Sequence, residues 1–383
     1  MAMHSLGIGE LHLTELKAIS LFAGAGGMDI GIRKAGFNVL AAIELDKYCC
    51  QTLRLATERE KTDTLIIEGD IREVDPEDLC KRLNIEPTQL DLLFGGPPCQ
   101  AFSASGKKNA LKDERGQLLF EIVRFARFMR PKAILLEQVK GLLSAKGEDG
   151  ERGGVFNLFI NELKQMGYVP KWQVCCAADF GVPQIRERVF VVATLGHNGF
   201  RFPERTHVPL GKNHNLFGLK PYVTVGEALS GIGEPDKKTA GTTFQSREDG
   251  HVDVTPERDR ERIAQVPEGS HLAAQTHLGK ELRGNLTSKD TTKYLRLSNT
   301  RPSNTLRGGE IFFHPTEDRY LTPRECMRLH GYDDSYRLSG PIRSRTGRVK
   351  DLDQHRQVAN SVPPTLAFVM GDNIRRYIFE QNF

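Results

Sequence analysis

Short apolar runs alternate with segments of helical periodicity over the first two hundred residues of the chain. The apolar runs have the length of buried strands and lie at 18–22, 39–43, 65–67, 90–94, 133–137, 172–175 and 189–193. Segments 27–35 and 115–130 carry apolar residues at helical spacing, and Gly36 and Pro131 follow them as residues that end helices. This alternation predicts an α/β fold with a doubly wound, Rossmann-like and mostly parallel sheet.

The pattern changes after about residue 196. From there to about residue 300 the chain is rich in Gly, Pro, His and Thr, which predicts a smaller, loop-rich domain. Segment 362–378 is again amphipathic and helical, and we expect it to cover the sheet of the first domain. The predicted domains are therefore 1–196 together with 355–383, and 197–354.

Composition narrows the class of protein. The 383 residues are 39% hydrophobic and 27% charged, as in ordinary globular enzymes. No apolar run approaches the roughly 20 residues that span a bilayer, and the start does not resemble a signal peptide, so we expect a cytoplasmic protein with no membrane association. The seven cysteines show no C-x-x-C spacing, which favours reduced thiols over a metal site or disulfides.

Positive charge is concentrated late in the chain, although the net charge is only +4. The basic residues form two groups, Lys293, Arg296, Arg301 and Arg307, and then Arg343, Arg345, Arg348, Lys350 and Arg356. Each group is either a solvated face or a surface that contacts phosphates.

A cysteine follows the predicted strand 90–94, in the sequence Gly-Gly-Pro-Pro-Cys-Gln-Ala-Phe-Ser of residues 95–103. Ligands of open α/β sheets bind at the carboxyl ends of strands, and the two prolines fix two φ angles there. Cys99 therefore suits a nucleophile, while an ordinary buried cysteine is the alternative.

A glycine-rich turn at 22–27 joins the first strand to the first helix. It is not the dinucleotide fingerprint, which would need glycine in place of Asp29. Glu44 follows the second strand where a ribose ligand is expected, and Asp70 follows the third. Together these features indicate an adenosyl pocket, although each acid alone could be a helix cap.

With the Pro-Pro-Cys turn included, residues 17–378 resemble a cytosine-C5 DNA methyltransferase in motif order. Further matches are 113–118, the Gln-Ile-Arg-Glu-Arg of 184–188, 301–305 before 324–325, and 357–362. The resemblance implies the cofactor S-adenosyl-L-methionine and a pocket formed by Phe22, Gly24, Ala25, Gly26, Glu44, Leu45, Asp70, Ile71, Pro98, Leu118, Asn360 and Ser361.

The chemistry that the resemblance implies fits these residue types. Cytosine C5 is a poor nucleophile, so a soft thiolate, Cys99, would add to C6 and give C5 enamine character. Glu137 would donate to N3 as electron density moves there. Arg188 would lie at the base near O2 with Arg186 alongside, and structural salt bridges are the alternative for both arginines.

Two positions depart from the family pattern. Gln138 stands where asparagine usually supports the Pro-Cys turn, and the added methylene could loosen that support or be absorbed by repacking. Ala359 stands where glycine is usual, which is tolerable if its φ is negative. Neither change removes a reacting group.

The implied partner is double-stranded DNA with the target cytosine flipped out of the helix. Segment 100–116 has the composition of a mobile loop, in which Gln100 and Ser103 would contact DNA, with Ser103 on a phosphate. Arg345 and Arg348 would contact other phosphates, and residues 197–300 would choose the sequence. We expect a monomer of a prokaryotic restriction-modification system, with any cognate restriction endonuclease acting separately.

Three other functions are less consistent with the sequence. A tRNA-methylating relative would carry a Cys-Phe-Thr triplet that this chain lacks. An inactive DNA-binding homologue would have lost the nucleophile or the acid, yet Cys99 and Glu137 are both present. A nicotinamide-dependent dehydrogenase would leave the Pro-Pro-Cys-Gln turn unexplained.

Overall fold

The computed structural model describes residues 15–99, 114–147, 150–196, 199–211, 218–237, 249–287, 289–343 and 351–379. The strands are β1 (Leu16–Leu21), β2 (Phe37–Glu44), β3 (Leu65–Glu68), β4 (Leu92–Gly95), β5 (Ala133–Gln138), β6 (Tyr168–Cys176), β7 (Gln184–Ile185), β8 (Glu187–Leu195), β9 (His207–Val208), β10 (Lys220–Pro221), β11 (Asp236–Lys237), β12 (Val252–Asp253) and β13 (Ser303–Asn304). The helices are α1 (Gly27–Lys34), α2 (Lys47–Glu60), α3 (Pro76–Leu83), α4 (Glu114–Gln117), α5 (Glu121–Met129), α6 (Gly154–Gln165), α7 (Val225–Leu229), α8 (Glu257–Ala264), α9 (Lys280–Arg283), α10 (Pro323–Leu329), α11 (Gln354–Asn360) and α12 (Pro364–Phe379).

Seven strands form the central sheet in the order β3-β2-β1-β4-β5-β8-β6. The first five are parallel, whereas β8 runs antiparallel to both β5 and β6. All seven predicted strands belong to this sheet, and the predicted doubly wound, mostly parallel topology is confirmed. The chain passes from β1 to β2 on one side and later to β4 on the other. The crevice at the carboxyl ends of β1 and β4 is therefore the expected ligand site.

Helices cover both faces of the sheet because side chains along each central strand alternate between two apolar clusters. In β4, Leu92 and Phe94 point into the cluster under α1 and α12, whereas Leu93 points into the cluster under α5 and α6. The predicted C-terminal helix is confirmed, since Leu366 and Met370 of α12 are fully buried against the sheet.

One predicted helix is divided. Segment 115–130 forms α4, a 3₁₀ turn at Leu118–Phe120 and then α5. Gly116 lowers helix propensity near this point. Residues three apart share a direction in a 3₁₀ turn, so Leu119 and Ile122 are both fully buried in the same cluster.

The elements described between residues 199 and 343 are short, and each of the strands described there has two residues. One apolar cluster joins it to the sheet domain, with Ala25 and Ile30 beside Leu297 and Tyr336. A smaller cluster around Ile263 and Phe313 lies within the later region. The predicted domain boundaries stay a prediction. In the described parts of the chain, no helix is long and apolar enough to cross a membrane.

Candidate active site

The glycine-rich turn lies between β1 and α1 at the carboxyl edge of the sheet. Phe22, Gly24 and Gly26 all have positive φ angles, of 56°, 56° and 75°. A Cβ built on Gly24 would meet no atom within 4 Å, so the space in front of this backbone is open to a ligand. Ala25 is buried, and its carbonyl accepts a hydrogen bond from the Tyr336 hydroxyl at 2.8 Å.

Glu44, at the end of β2, is held by three backbone N–H donors. Its carboxylate accepts from Gly24 at 2.7 Å, from Leu45 at 2.8 Å and from Asp46 at 2.7 Å. Burial raises the pKa of Glu44, and these donors act against that shift. The carboxylate therefore joins the glycine-rich turn to the end of β2. Leu45 beside it is 40% exposed, so its apolar side chain is accessible at this edge of the sheet.

Asp70 follows β3 at the same edge and caps the 3₁₀ turn Ile71–Glu73. Its carboxylate accepts from both Nε and Nη2 of Arg72, at 2.6 to 3.1 Å. Arg124 of α5 donates to the carbonyls of Ile71 and Val74, which fixes this segment against the second helix layer. Ile71 is buried in the apolar cluster under α5.

Cys99 follows β4 on a turn anchored by the neighbouring strand. The Gln138 side chain donates to the Pro97 carbonyl at 3.0 Å and accepts from the Val139 N–H at 2.8 Å. The longer side chain at this departure from the family pattern therefore still reaches the turn. Cys99 and Pro98 are half-buried.

The pKa of the Cys99 thiol is raised. Burial is the largest cause and the charge of Glu137 the second, while the nearby charges of Arg188 and Arg186 lower the pKa. These influences show that the structure brings all four residues predicted to be catalytic into one electrostatic neighbourhood.

Glu137 and Arg188 form an ion pair across β5 and β8. Arg188 Nε lies 3.0 Å from Glu137 Oε1, and the two side chains are only 13% and 11% exposed. The antiparallel register places Gln138 opposite Val189, so these neighbours emerge at the same end of the two strands. The pair is largely shielded from water, which strengthens the attraction between the two charges.

Arg186 is held by hydrogen bonds to backbone carbonyls of two other segments of the chain. Its Nη1 donates to the Leu306 carbonyl at 3.2 Å, and its Nη2 donates to the carbonyls of Ala359 and Ser361 at 3.1 and 3.0 Å. Burial and then the charge of Arg188 lower the pKa of Arg186. Both terminal nitrogens of Arg186 are therefore engaged by backbone carbonyls, and its role in catalysis stays a prediction.

Asn360 and Ser361 form the turn between α11 and α12. Asn360 is exposed, whereas Ser361 is buried and its hydroxyl donates to the Val358 carbonyl at 2.8 Å. A Cβ built on Gly27 would lie 2.3 Å from the Val362 carbonyl oxygen and 3.2 Å from Ser361 Cβ, so this turn packs against the glycine-rich turn. Ala359 lies inside α11, where φ is negative, and the departure from glycine is accommodated.

The structure says less about the remaining residues that were predicted to bind the cofactor or DNA. Leu118 is half-buried in the 3₁₀ turn that precedes α5. Gln100, Ser103, Arg345 and Arg348 lie outside the described residues. In the first basic group, Arg296 does not face solvent, since it is buried and donates to four backbone carbonyls. Lys293 is paired with Asp290 at 2.6 Å.

The sequence analysis did not single out His330, and it named Gln184 only as part of the motif 184–188. Both are fully buried beside Arg186, and the Gln184 amide nitrogen lies 3.0 Å from His330 Nδ1. The available signal was a polar residue at an apolar position: His330 follows the buried helix α10 directly. A buried polar side chain needs partners, but the sequence does not say which ones.

Comparison with known proteins identifies the family. The model for C-5 cytosine-specific DNA methylases matches residues 16–376. The chain is 31% identical over 375 residues to the Type II methyltransferase M.NgoFVII of Neisseria gonorrhoeae, covering 96% of this chain and 88% of that protein. It is 44% identical over 225 residues to M.AquIA of Picosynechococcus, covering 56% of this chain and 88% of that protein.

A solved structure agrees in fold. A DNA modification methyltransferase encoded within an E. coli prophage superposes with a TM-score of 0.68 at 22% identity, covering 95% of this chain and 99% of that chain. The chain belongs to the C-5 cytosine-specific DNA methylase family, which confirms the predicted enzyme class.

Proposed function

We propose that this protein transfers a methyl group from S-adenosylmethionine to C5 of a flipped-out cytosine in a specific sequence of duplex DNA. The observation that carries the proposal is the grouping of Cys99 with the buried Glu137–Arg188 pair, whose closest atoms are 3.0 Å apart. This grouping lies at the sheet edge where the glycine-rich turn, Glu44 and Asp70 also meet.

The residues at the ends of β1 to β3 suit an adenosyl ligand. The open backbone at Gly24 lets a ligand approach closely, and Glu44 offers a carboxylate to ribose hydroxyls. Leu45 and Ile71 supply apolar surface for adenine, beside the polar group of Asp70. Pro98, Leu118 and the Asn360–Ser361 turn complete the proposed pocket. Bound S-adenosylmethionine supplies an electrophilic methyl group.

Cys99 begins the reaction by forming a bond from Sγ to C6 of cytosine, which pushes the electrons of the C5–C6 double bond toward N3. Glu137 delivers a proton to N3, and C5 of the resulting enamine would take the methyl group as the bond from that methyl to the sulfonium sulfur breaks, with S-adenosylhomocysteine as the leaving group. Loss of the C5 proton to a water molecule, return of the N3 proton to Glu137 and cleavage of the Sγ–C6 bond then restore the aromatic ring and the Cys99 thiolate.

The two acidic groups help one another in this sequence. The charge of Glu137 raises the pKa of Cys99, so a proton that resides on Glu137 removes the repulsion against the thiolate. A thiolate beside a protonated carboxyl holds the same number of protons as a thiol beside a carboxylate. The pair therefore offers a nucleophile and an acid without taking up a further proton.

The arginines divide the remaining work. Arg188 orients Glu137 and presents positive charge where density accumulates on the pyrimidine ring. Arg186 holds the segments of Leu306, Ala359 and Ser361 around it. Both roles are electrostatic and structural, and neither requires an arginine to lose its proton.

The DNA side of the proposal rests on the family and on the predicted residues. We assign target choice to the loop-rich segment 197–300, phosphate contacts to Ser103, Arg345 and Arg348, and a further DNA contact to Gln100. Type II methyltransferases among the relatives support a role in restriction and modification, with a separate endonuclease as partner. We propose that the enzyme acts as a monomer in the cytoplasm.

A Cys99→Ser variant tests this function. A hydroxyl supplies almost no anion near neutral pH, so methyl transfer should be abolished while S-adenosylmethionine binding stays nearly intact. Bisulfite sequencing of plasmid exposed to each protein measures the first, and calorimetry measures the second. Methylation by the serine variant within tenfold of the wild-type rate would overturn the covalent mechanism.

A further inference from the structure

The carbonyl of Ser361 accepts two hydrogen bonds from two different parts of the chain. Arg186 Nη2 donates to it at 3.0 Å, and His330 Nε2 lies 2.9 Å from the same oxygen. His330 is fully buried directly after α10, while Ser361 directly follows α11. One backbone oxygen therefore connects the Asn360–Ser361 turn both to Arg186, between β7 and β8, and to His330, at the end of α10.

The neighbouring hydrogen bonds define the protonation of His330. The Gln184 side-chain oxygen accepts from the Leu306 N–H at 3.1 Å, so its amide nitrogen must be the group that faces His330 Nδ1 at 3.0 Å. Nδ1 therefore accepts a hydrogen bond, and the ring proton lies on Nε2, where it can be donated to Ser361. Burial and then the charge of Arg186 lower the pKa of His330, in agreement with a neutral ring.

The result is a directed chain of hydrogen bonds. It runs from the Leu306 N–H through Gln184 and His330 to the Ser361 carbonyl. Every donor in it faces an acceptor, so removal of one member leaves buried polar groups unsatisfied. The chain ends on the turn that packs against Gly27, beside the glycine-rich turn.

We infer that His330 is a positioning residue of the cofactor pocket, which fixes the Asn360–Ser361 turn by donating from Nε2 to the Ser361 carbonyl. The inference rests on the proposed function, because it takes this turn to face S-adenosylmethionine. It concerns a residue that touches neither the cofactor nor the base and acts through the backbone of the turn.

Two substitutions at His330 separate the donor from the acceptor. His330→Asn retains a polar atom near the position of Nδ1 but loses the donor to Ser361. His330→Gln places an amide N–H near the position of Nε2. His314→Asn is the matched control, because His314 is also buried, accepts through Nδ1 and lies in the later apolar region around Phe313.

Calorimetric titration with S-adenosylmethionine should show dissociation constants about three- to tenfold higher for His330→Asn, the effect of losing one buried hydrogen bond. His330→Gln should recover most of the affinity. The turnover number at saturating cofactor should change less than the affinity, and His314→Asn should lower the melting temperature alone. Wild-type affinity in His330→Asn, with a melting temperature lowered as in the control, would overturn the inference.

Two further results keep the test decisive. Nitrogen NMR of the histidine-labelled wild type should show a protonated Nε2 and an unprotonated Nδ1 at His330, and the opposite tautomer would overturn the inference even if no variant folds. If the wild type itself bound no S-adenosylmethionine, the proposed function would fail, and this inference would fail with it.

Discussion

Replacement of Glu137 by glutamine should lower the pKa of the Cys99 thiol even though it impairs catalysis. In the wild type, burial raises that pKa most and the charge of Glu137 raises it next. Glutamine has the same size without the charge, so the thiolate loses a repulsive neighbour. The acid for N3 is lost in the same substitution, and methyl transfer should fall by about 100-fold or more.

The size of the effect on the thiol follows from charge proximity. The neighbouring carboxylate opposes formation of the thiolate, so removing its charge lowers the pKa of the Cys99 thiol. A pKa that is lower by one gives about ten times more thiolate at a fixed pH below the pKa. The nucleophilicity of a thiolate falls with its pKa at a Brønsted slope of about 0.4 to 0.5, so alkylation should be about threefold faster for each such decrease.

The assay is the pH profile of iodoacetamide alkylation. Of the seven cysteines, only Cys99 and Cys176 are not buried, and a Cys99→Ser protein supplies the background to subtract. Glu187→Gln is the matched control, since Glu187 is half exposed and pairs with Lys140 at 2.7 Å. The electrostatic coupling would be refuted if the pH midpoint of alkylation in Glu137→Gln were no lower than the midpoint in Glu187→Gln.

Three other perturbations have defined outcomes. Burial raises the pKa of Asp29 to about 6, so between pH 3.8 and 6 the folded state keeps a proton that the unfolded state has lost, and stability falls as pH rises. Asp29→Asn should therefore raise the free energy of unfolding at pH 7.5, measured by urea titration, by on the order of 1 to 3 kcal/mol. This gain should disappear near pH 4, and an equal gain at both pH values would argue against the raised pKa. Arg319→Met should cost about 3 kcal/mol in urea unfolding because it leaves the fully buried Glu325, 2.7 Å away, without its charge partner. The exposed Arg54 gives the control Arg54→Met with a loss under about 1 kcal/mol, and similar losses would contradict the burial argument. Asp70→Ala should raise the S-adenosylmethionine dissociation constant about tenfold with a smaller change in turnover, and unchanged affinity by calorimetry would remove Asp70 from the pocket.

The sequence was sufficient for the features that depend on neighbours along the chain. Strand β5 was predicted from an apolar run, and its end carries Glu137 at the sheet edge. The turn after β4 was predicted from its prolines, and Cys99 lies at that edge too. Both predictions needed only the local pattern and the rule that ligands bind at the carboxyl ends of parallel strands.

Contacts between distant segments were not available from the sequence. Arg186 was expected alongside Arg188 or in a structural salt bridge. Neither expectation could name its carbonyl partners Leu306 and Ala359, which are 120 and 173 residues away along the chain. Arg296 was counted in a basic surface group, yet four backbone carbonyls bury it. Charge alone cannot distinguish an arginine that meets phosphates from one that satisfies buried backbone oxygens.

The departure at Gln138 shows the same limit on a smaller scale. The added methylene left two outcomes open, a looser turn or repacking. The Gln138 amide nitrogen donates to the Pro97 carbonyl and its oxygen accepts from the Val139 N–H, so the contact with the turn is kept. Whether a longer side chain fits depends on the position of both partners, which the sequence does not contain.

The most direct test of the central claim is to trap the bond between Cys99 and cytosine. Duplex DNA carrying 5-fluorocytosine throughout cannot lose the C5 substituent after methyl addition, so the covalent complex should persist and be detected by mass spectrometry. With S-adenosylmethionine present, we expect one modified peptide containing Cys99, and none in the Cys99→Ser protein. A stable complex through another residue, or methylated plasmid with no complex at Cys99, would contradict the account.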